Sequence, residues 1–230
     1  MPTLRFLGHA ACEVSHGDTR ILFDPFLTGN SLAAASPDEL NPTAILVTHG
    51  HGDHVGDAAS IARRTGAPVV GTVEIVSYLQ SQGCPAGHGM NLGGAYQFDW
   101  GWVKLTPAWH TGGYTDADGN YVYLGTPAGI LLRVGGRTLY HAGDTALFSD
   151  LSLIGRHGID LALLPIGDNF TMGPDDALEG VRLLKPKRVV PIHYNTFPPI
   201  VQDGAAWARR VESETGVPCV PLQPGESLEY

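Results

Sequence analysis

The amino-acid sequence predicts an α/β (α+β) protein whose sheets lie inside and whose helices lie outside. Three observations predict it. Continuous apolar runs at Ala44–Thr48, Leu161–Pro165 and Val189–Ile192 have the pattern of strands covered on both faces. Stretches with helical start and stop residues stand between such runs: Asp57 precedes and Gly66 follows Ala58–Thr65, and Pro174 opens Asp175–Leu184. Glycine (30 residues) and proline (17) are numerous enough for the many turns this alternation needs.

Taken in order, Leu4–Leu7, Ala11–Val14 and Arg20–Phe23 read as short strands, with Ser15–Asp18 as a turn. Asp24-Pro25 ends the third, and Phe26–Asn41 is irregular. Ala44–Thr48 is a strand, Ala58–Thr65 a helix, Val69–Gly71 strand-like, and Val73–Gln82 a helix ending before Gly83. Tyr96–Phe98 and Val103–Pro107 read as strands, and Thr111–Tyr121 as a loop rich in glycine and aspartate in which Asp116 and Asp118 form a turn. Ile130–Val134 and Thr138–His141 make a hairpin around Gly135-Gly136. Gly204–Thr215 is a last helix and Cys219–Leu222 a terminal strand. No linker-like tract divides the 230 residues, so the expectation is one domain over 1–230, built as two βα halves with a boundary near 125.

Composition narrows the function classes. A formal charge of −9 and the absence of any Lys/Arg run disfavour a nucleic-acid partner. No apolar run approaches the roughly 18 residues of a membrane span, and MPTLRFLGHA does not read as a signal peptide. Cys12, Cys84 and Cys219 are odd in number and lack CxxC spacing, which points to buried thiols. A cytoplasmic protein follows, with a small-molecule substrate, no membrane partner, and either a monomer or a homo-oligomer permitted.

The chemistry concentrates in THGHGDHVGD, Thr48–Asp57, directly after a strand. His49, His51, Asp53 and His54 fall within six residues. Histidines two apart can face one side of an extended chain, and the glycines allow tight turns. Three imidazoles and a carboxylate so crowded are suited to holding cations.

His-x-His-x-Asp-His after a strand resembles the signature of the metallo-β-lactamase superfamily, which implies a four-layer αββα sandwich. The resemblance also implies a later histidine, carboxylate and histidine. His110 follows the strand ending near Trp109, Asp144 stands in HAGDT, and His193 stands in PIHYN. Matched to the superfamily pattern, His49, His51 and His110 resemble ligands of a first metal. Asp53, His54 and His193 resemble those of a second, with Asp144 bridging. FLGHA, LFDPFLTGN, FTMGPDDA and IHYNTFP extend the likeness from Leu7 to about Phe197, toward small cytoplasmic metal-dependent hydrolases of unassigned substrate near the ascorbate-6-phosphate lactonase group. Flavo-diiron oxidoreductases have glutamate where His51 stands, and antibiotic-hydrolysing β-lactamases have cysteine where Asp144 falls. The 37 residues after His193 are too few for the helical substrate domain of glyoxalase II-like thioesterases.

The resemblance implies two divalent ions, zinc by ligand type, with manganese, iron or nickel also compatible. Such a pair, about 3.5–4 Å apart, would lower the pKa of a shared water to roughly 7, and Asp53 is the residue assigned to orient the nucleophile. The expected reaction is hydrolysis of an ester-like, lactone or phosphodiester bond. The alternatives are a nucleotide phosphodiesterase or nuclease, and a non-catalytic metal or ligand sensor. Further candidates are read two ways: His9 as facing the site or bonded to a carbonyl, Asp24 as a turn former or a partner of a ligand histidine, His141 as a support or core residue, and Asn195 as a substrate contact or not. Trp100, Trp102 and Trp109 read as core.

Overall fold

The computed structural model describes residues 1–116 and 119–230; the predicted turn at Asp118 lies outside the described residues. Thr3–Gly8 (β1), Ala11–His16 (β2) and Thr19–Phe23 (β3) form an antiparallel meander, extended in parallel by Ala44–Leu46 (β4). Gly52–Val55 (α1) and Ala58–Thr65 (α2) then lead to Val69–Thr72 (β5), and Val73–Ser81 (α3) leads to Gly87–Met90 (β6), both strands joining the same sheet in parallel.

The second sheet begins with Ala95–Phe98 (β7) and Gly101–Pro107 (β8). Gly113–Thr115 (β9) and Tyr121–Tyr123 (β10) form a separate two-stranded hairpin. Ala128–Val134 (β11) and Arg137–His141 (β12) continue the sheet antiparallel; Leu161–Pro165 (β13) and Val189–Ile192 (β14) complete it in parallel. Leu151–Ile154 (α4), Pro174–Leu184 (α5) and Gly204–Thr215 (α6) are its helices, and Ser227–Glu229 (β15) returns to pair with β1. The chain passes from the first sheet to the second at 91–94.

Side chains alternate along each strand, and this sorts the apolar runs into three layers of core. Ile21, Leu46, Leu163 and Ile192 meet Leu105 and Ile130 between the sheets. Their neighbours point outward: Leu22, Ile45 and Val69 pack under Ile61 of α2 and Ile75 and Leu79 of α3, and Ala162, Leu164 and Val189 pack under Val181 of α5 and Trp207 and Val211 of α6. The architecture is therefore helix, sheet, sheet, helix, the expected αββα sandwich. Strands covered on both faces read as continuous apolar runs for this reason.

Several local expectations change. Cys219–Leu222 contributes one bridge, Cys219 to Val189, because Pro218 and Pro221 lack the N–H that a ladder needs; the terminal strand is β15. Thr111–Tyr121 holds most of the β9–β10 hairpin, whose tyrosines Tyr121 and Tyr123 are exposed. Trp109 is 68% exposed rather than core. Asp57 precedes α2 without capping it: its carboxylate accepts from the Leu27 and Thr28 N–H groups at 3.1 and 2.8 Å and holds the irregular segment.

Candidate metal centre

Five chain reversals at one end of the sandwich bring the candidate residues together. The segment after β4 carries His49 and His51, and α1 carries Asp53 and His54. That helix stops at Gly56, whose positive φ (40°) and contact with the Pro25 carbonyl exclude a Cβ. His110 lies three residues past β8, Asp144 three past β12, and His193 directly past β14. The turn before Asp144 uses Gly143 (φ 61°) against the Thr48 side chain. His9, between β1 and β2, has φ 60° and accepts on its carbonyl from the His193 N–H at 2.8 Å.

Two groups of ligating atoms result, each within 4.8 Å: His49, His51, His110 and Asp144; and His9, Asp53, His54 and His193. Asp144 joins them. Its Oδ1 stands 3.3 Å from His54 Nε2, and its Oδ2 stands 3.1, 3.5 and 3.8 Å from Nε2 of His193, His110 and His49. His51 Nδ1 lies 3.0 Å from His49 Nε2 and 3.2 Å from His110 Nε2. Nitrogens bonded at roughly 2.0–2.1 Å to a tetrahedral ion stand about 3.3–3.4 Å apart, so this triangle is close to the one a cation imposes.

The far sides of the rings fix which nitrogen is free. Thr48 donates its hydroxyl proton to Asp24 Oδ2 at 2.6 Å, so Thr48 Oγ1 accepts from His49 Nδ1 at 3.0 Å and His49 Nε2 turns a lone pair inward. His54 Nδ1 donates to Asp24 Oδ2 at 2.8 Å, leaving His54 Nε2 buried without a hydrogen-bond partner. Asp144 Oδ1 and both ring nitrogens of His193 are likewise buried without a hydrogen bond, although Asp144 faces His54 and His193 as an opposite charge. Orphaned polar atoms are costly in a folded protein. Their concentration here fits divalent ions held by imidazole and carboxylate, with ring orientations braced from behind.

Burial pushes His49 well below the usual histidine range, lowers His51 and His110, and brings His9 to about 4 against the pull of Asp53. These rings are neutral at pH 7, the form in which an imidazole can offer a lone pair. Burial also works against charge on His54 and His193, but Asp144 facing both, and Asp24 behind His54, outweigh it: His54 rises well above its usual value and His193 to about 9. Burial opposes ionisation of Asp144 and Asp53 too. His54 and His193 hold Asp144, and His193 and His9 hold Asp53, well below the carboxylate range nonetheless.

The seven predicted ligands are thus brought together. His9 stands with the second group: its Nε2 meets Asp53 Oδ2 at 3.1 Å and its Nδ1 meets Thr196 Oγ1 at 2.8 Å. Asp24 is fully buried and fills both of its readings: its positive φ (41°) makes the turn after β3, and its carboxylate serves Thr48 and His54. Replacing Asp24 with Ala is expected to lower metal affinity about 10–100-fold, read by metal titration of the purified variant; unchanged affinity would mean that the brace is dispensable. His141 bonds to the Ala10 carbonyl at 2.9 Å and accepts from the Gly143 N–H at 3.1 Å, tying the His9 turn to the Asp144 turn. Asn195 does not face the metal-side cavity. Its Oδ1 accepts from Gln202 N–H at 2.8 Å, closing its own loop, and it lines a different cavity with Tyr194.

Over the ligands opens a cavity of about 510 Å3 bounded by His51, Asp53, His110, Asp144 and His193 and walled by Thr111, Phe170, Phe197 and Pro199. Sequence reading missed these wall residues and Thr196. Phe170 and Phe197 do stand in the motif stretches FTMGPDDA and IHYNTFP, but an isolated phenylalanine there reads equally as core.

A family profile described as a beta-lactamase superfamily domain matches residues 19–194. A UPF0173 metal-dependent hydrolase of Thermus thermophilus is 54% identical over 228 residues, covering 99% of each chain. One of Pelotomaculum thermopropionicum is 52% identical, covering 97% of this chain and 98% of its own. Among solved structures, Igni18, described as a novel metallo hydrolase from the archaeon Ignicoccus hospitalis, superposes with a TM-score of 0.88 at 36% identity, over 100% of this chain and 99% of its own. The sandwich, the paired ligand groups and these likenesses agree: the chain belongs to the UPF0173 metal-dependent hydrolases of the β-lactamase superfamily.

Proposed function

We propose that this hydrolase works with two divalent ions, zinc by ligand type with manganese, iron or nickel as alternatives, and cleaves an ester-like, lactone or phosphodiester bond of a small cytoplasmic molecule. The observation that carries the two-ion reading is Asp144, whose two oxygens reach histidines of both groups. His49, His51 and His110 would hold one ion and Asp53, His54 and His193 the other, with Asp144 shared. Ions held by these residues would supply an activated water and a Lewis acid for the substrate oxygen.

The chain's own residues supply the rest. Asp53, braced by His9, lines the cavity as an ionised acceptor able to orient a water molecule by a hydrogen bond. Phe170 and Phe197 narrow the approach and exclude bulk water from one side. The cytoplasm is supported by three buried cysteines without disulfides, and among the described residues no helix is long and apolar enough to cross a membrane.

The test is a hydrolysis panel of metal-loaded protein with a phosphodiester, a lactone, a thioester, a carboxylic ester and a β-lactam, each with and without chelator. Chelator-sensitive turnover is expected for a lactone, an ester or a phosphodiester. On that substrate Asp53→Ala is expected to lose about a thousandfold in kcat/KM. Full turnover by Asp53→Ala would overturn this assignment.

A further inference from the structure

Lysine and arginine are absent from the lining of the site's cavity. The chain has 14 Lys and Arg residues, and none stands at 21–62, 105–132, 138–155, 157–181 or 189–208, which together hold every segment between His49 and His193 that reaches the cavity. Six of them are engaged elsewhere: Arg137 and Lys187 pair with Asp160, Arg182 and Arg210 with Glu214, Arg64 bonds to the Pro37 carbonyl and Arg188 to that of Glu229. Asp150 and Asp168 lie in the same cation-free stretches.

What lines the cavity beyond the ligand groups is apolar or uncharged: Phe170, Phe197, Pro199 and Thr111. Phe170 is held in place by a built turn. Asp168 and Asn169 have positive φ (62° and 50°), Asp168 N–H donates to Met172 O at 3.1 Å, and Asp168 Oδ1 accepts from Asn169 N–H at 2.8 Å. The ring stays 53% exposed beside the cavity, a surface that gains by being covered. On the far side of Thr111 a smaller recess carries Tyr121 and Tyr123.

From this we infer the substrate class, an inference that rests on the hydrolase reading above. The substrate is an ester or lactone whose non-reacting part is uncharged and apolar or aromatic, and it seats that part against Phe170 and Phe197. Metal ions held by the ligand groups would take the reacting oxygen, so the rest of the substrate is what the cavity wall selects. A second, non-reacting phosphate or carboxylate would meet no lysine or arginine to offset its desolvation. Nucleic acid and sugar phosphates are therefore the wrong class, and the size of the cavity suits a compact molecule.

The test uses a matched pair, an aryl-substituted γ-butyrolactone and the same compound with a sulfonate on its ring, a poor metal ligand. Metal-loaded protein is assayed for kcat/KM on both, and binding of each is measured separately by calorimetry at low ionic strength. The neutral member is expected to be preferred at least about tenfold in both measurements. Phe170→Ala is expected to raise its KM roughly tenfold with kcat nearly unchanged, and Phe170→Lys to move the preference toward the sulfonate. Phe170 is half exposed, so neither change empties the core. Preference for the sulfonate, or an unchanged KM in both Phe170→Ala and Phe197→Ala, would overturn the inference while leaving the hydrolase standing. If neither compound is turned over, the hydrolysis panel decides the proposed reaction, and the binding arm still decides the substrate class.

Discussion

Asp144→Asn is expected to lose most of its bound metal and at least about a thousandfold in kcat/KM. The carboxylate stands between the two ligand groups, 3.1 Å from His193 and 3.3 Å from His54, and a neutral amide can bridge two cations far less well. The same change weakens the metal-free protein. His54 and His193 are protonated there largely because Asp144 faces them, and removing one member of a buried pair costs about 3–5 kcal/mol. Metal analysis after desalting, with a denaturant titration of the chelated variant, reads both effects. A variant that keeps two ions per chain and its full stability would show that Asp144 bridges nothing.

Metal affinity is expected to rise with pH, by about tenfold per unit for each proton displaced, up to about pH 9. His193 carries the argument. Burial lowers its pKa, but Asp144 and Asp53 raise it to about 9, above the ordinary value near 6.5. A histidine with a raised folded-state pKa stabilises the metal-free protein fully below about pH 6.5, and that contribution disappears as pH climbs through 9. An ion takes the place of the proton. Calorimetric melting between pH 6.5 and 9.5 should therefore show the chelated protein losing Tm while the metal-loaded protein holds it. A flat gap between the two across this range would mean that His193 gives up no proton to the metal.

The parts of the site legible in the sequence are those encoded at short range. His49, His51, Asp53 and His54 lie within six residues, so their mutual placement needs only a strand end and one turn of helix. His110, Asp144 and His193 were legible because each follows a strand and because the chain resembles a family in which that order is fixed. His9 was only half legible: its contact with Asp53 spans 44 positions, and no local spacing encodes it. Asn195 stayed open in the sequence because it adjoins His193; in the fold both residues have positive φ and its side chain closes its own loop. Trp109 misled, since an aromatic beside a strand reads as core until the packing partner turns out to be absent.

By itself the sequence determined the alternation of strands and helices, the covered-on-both-faces character of β4, β13 and β14, and which side chains are candidates to hold metal. These follow from apolar periodicity, capping residues and ligand chemistry, all properties of neighbouring residues. The tertiary structure alone decided that β15 closes the first sheet, that Asp24 and Thr48 orient the ligand rings, that Asp144 touches both groups, and that the walls above them are phenylalanine and proline without a cation. These depend on which strand ends converge. Convergence is set by the packing of two sheets through one shared core, and no window of sequence contains it.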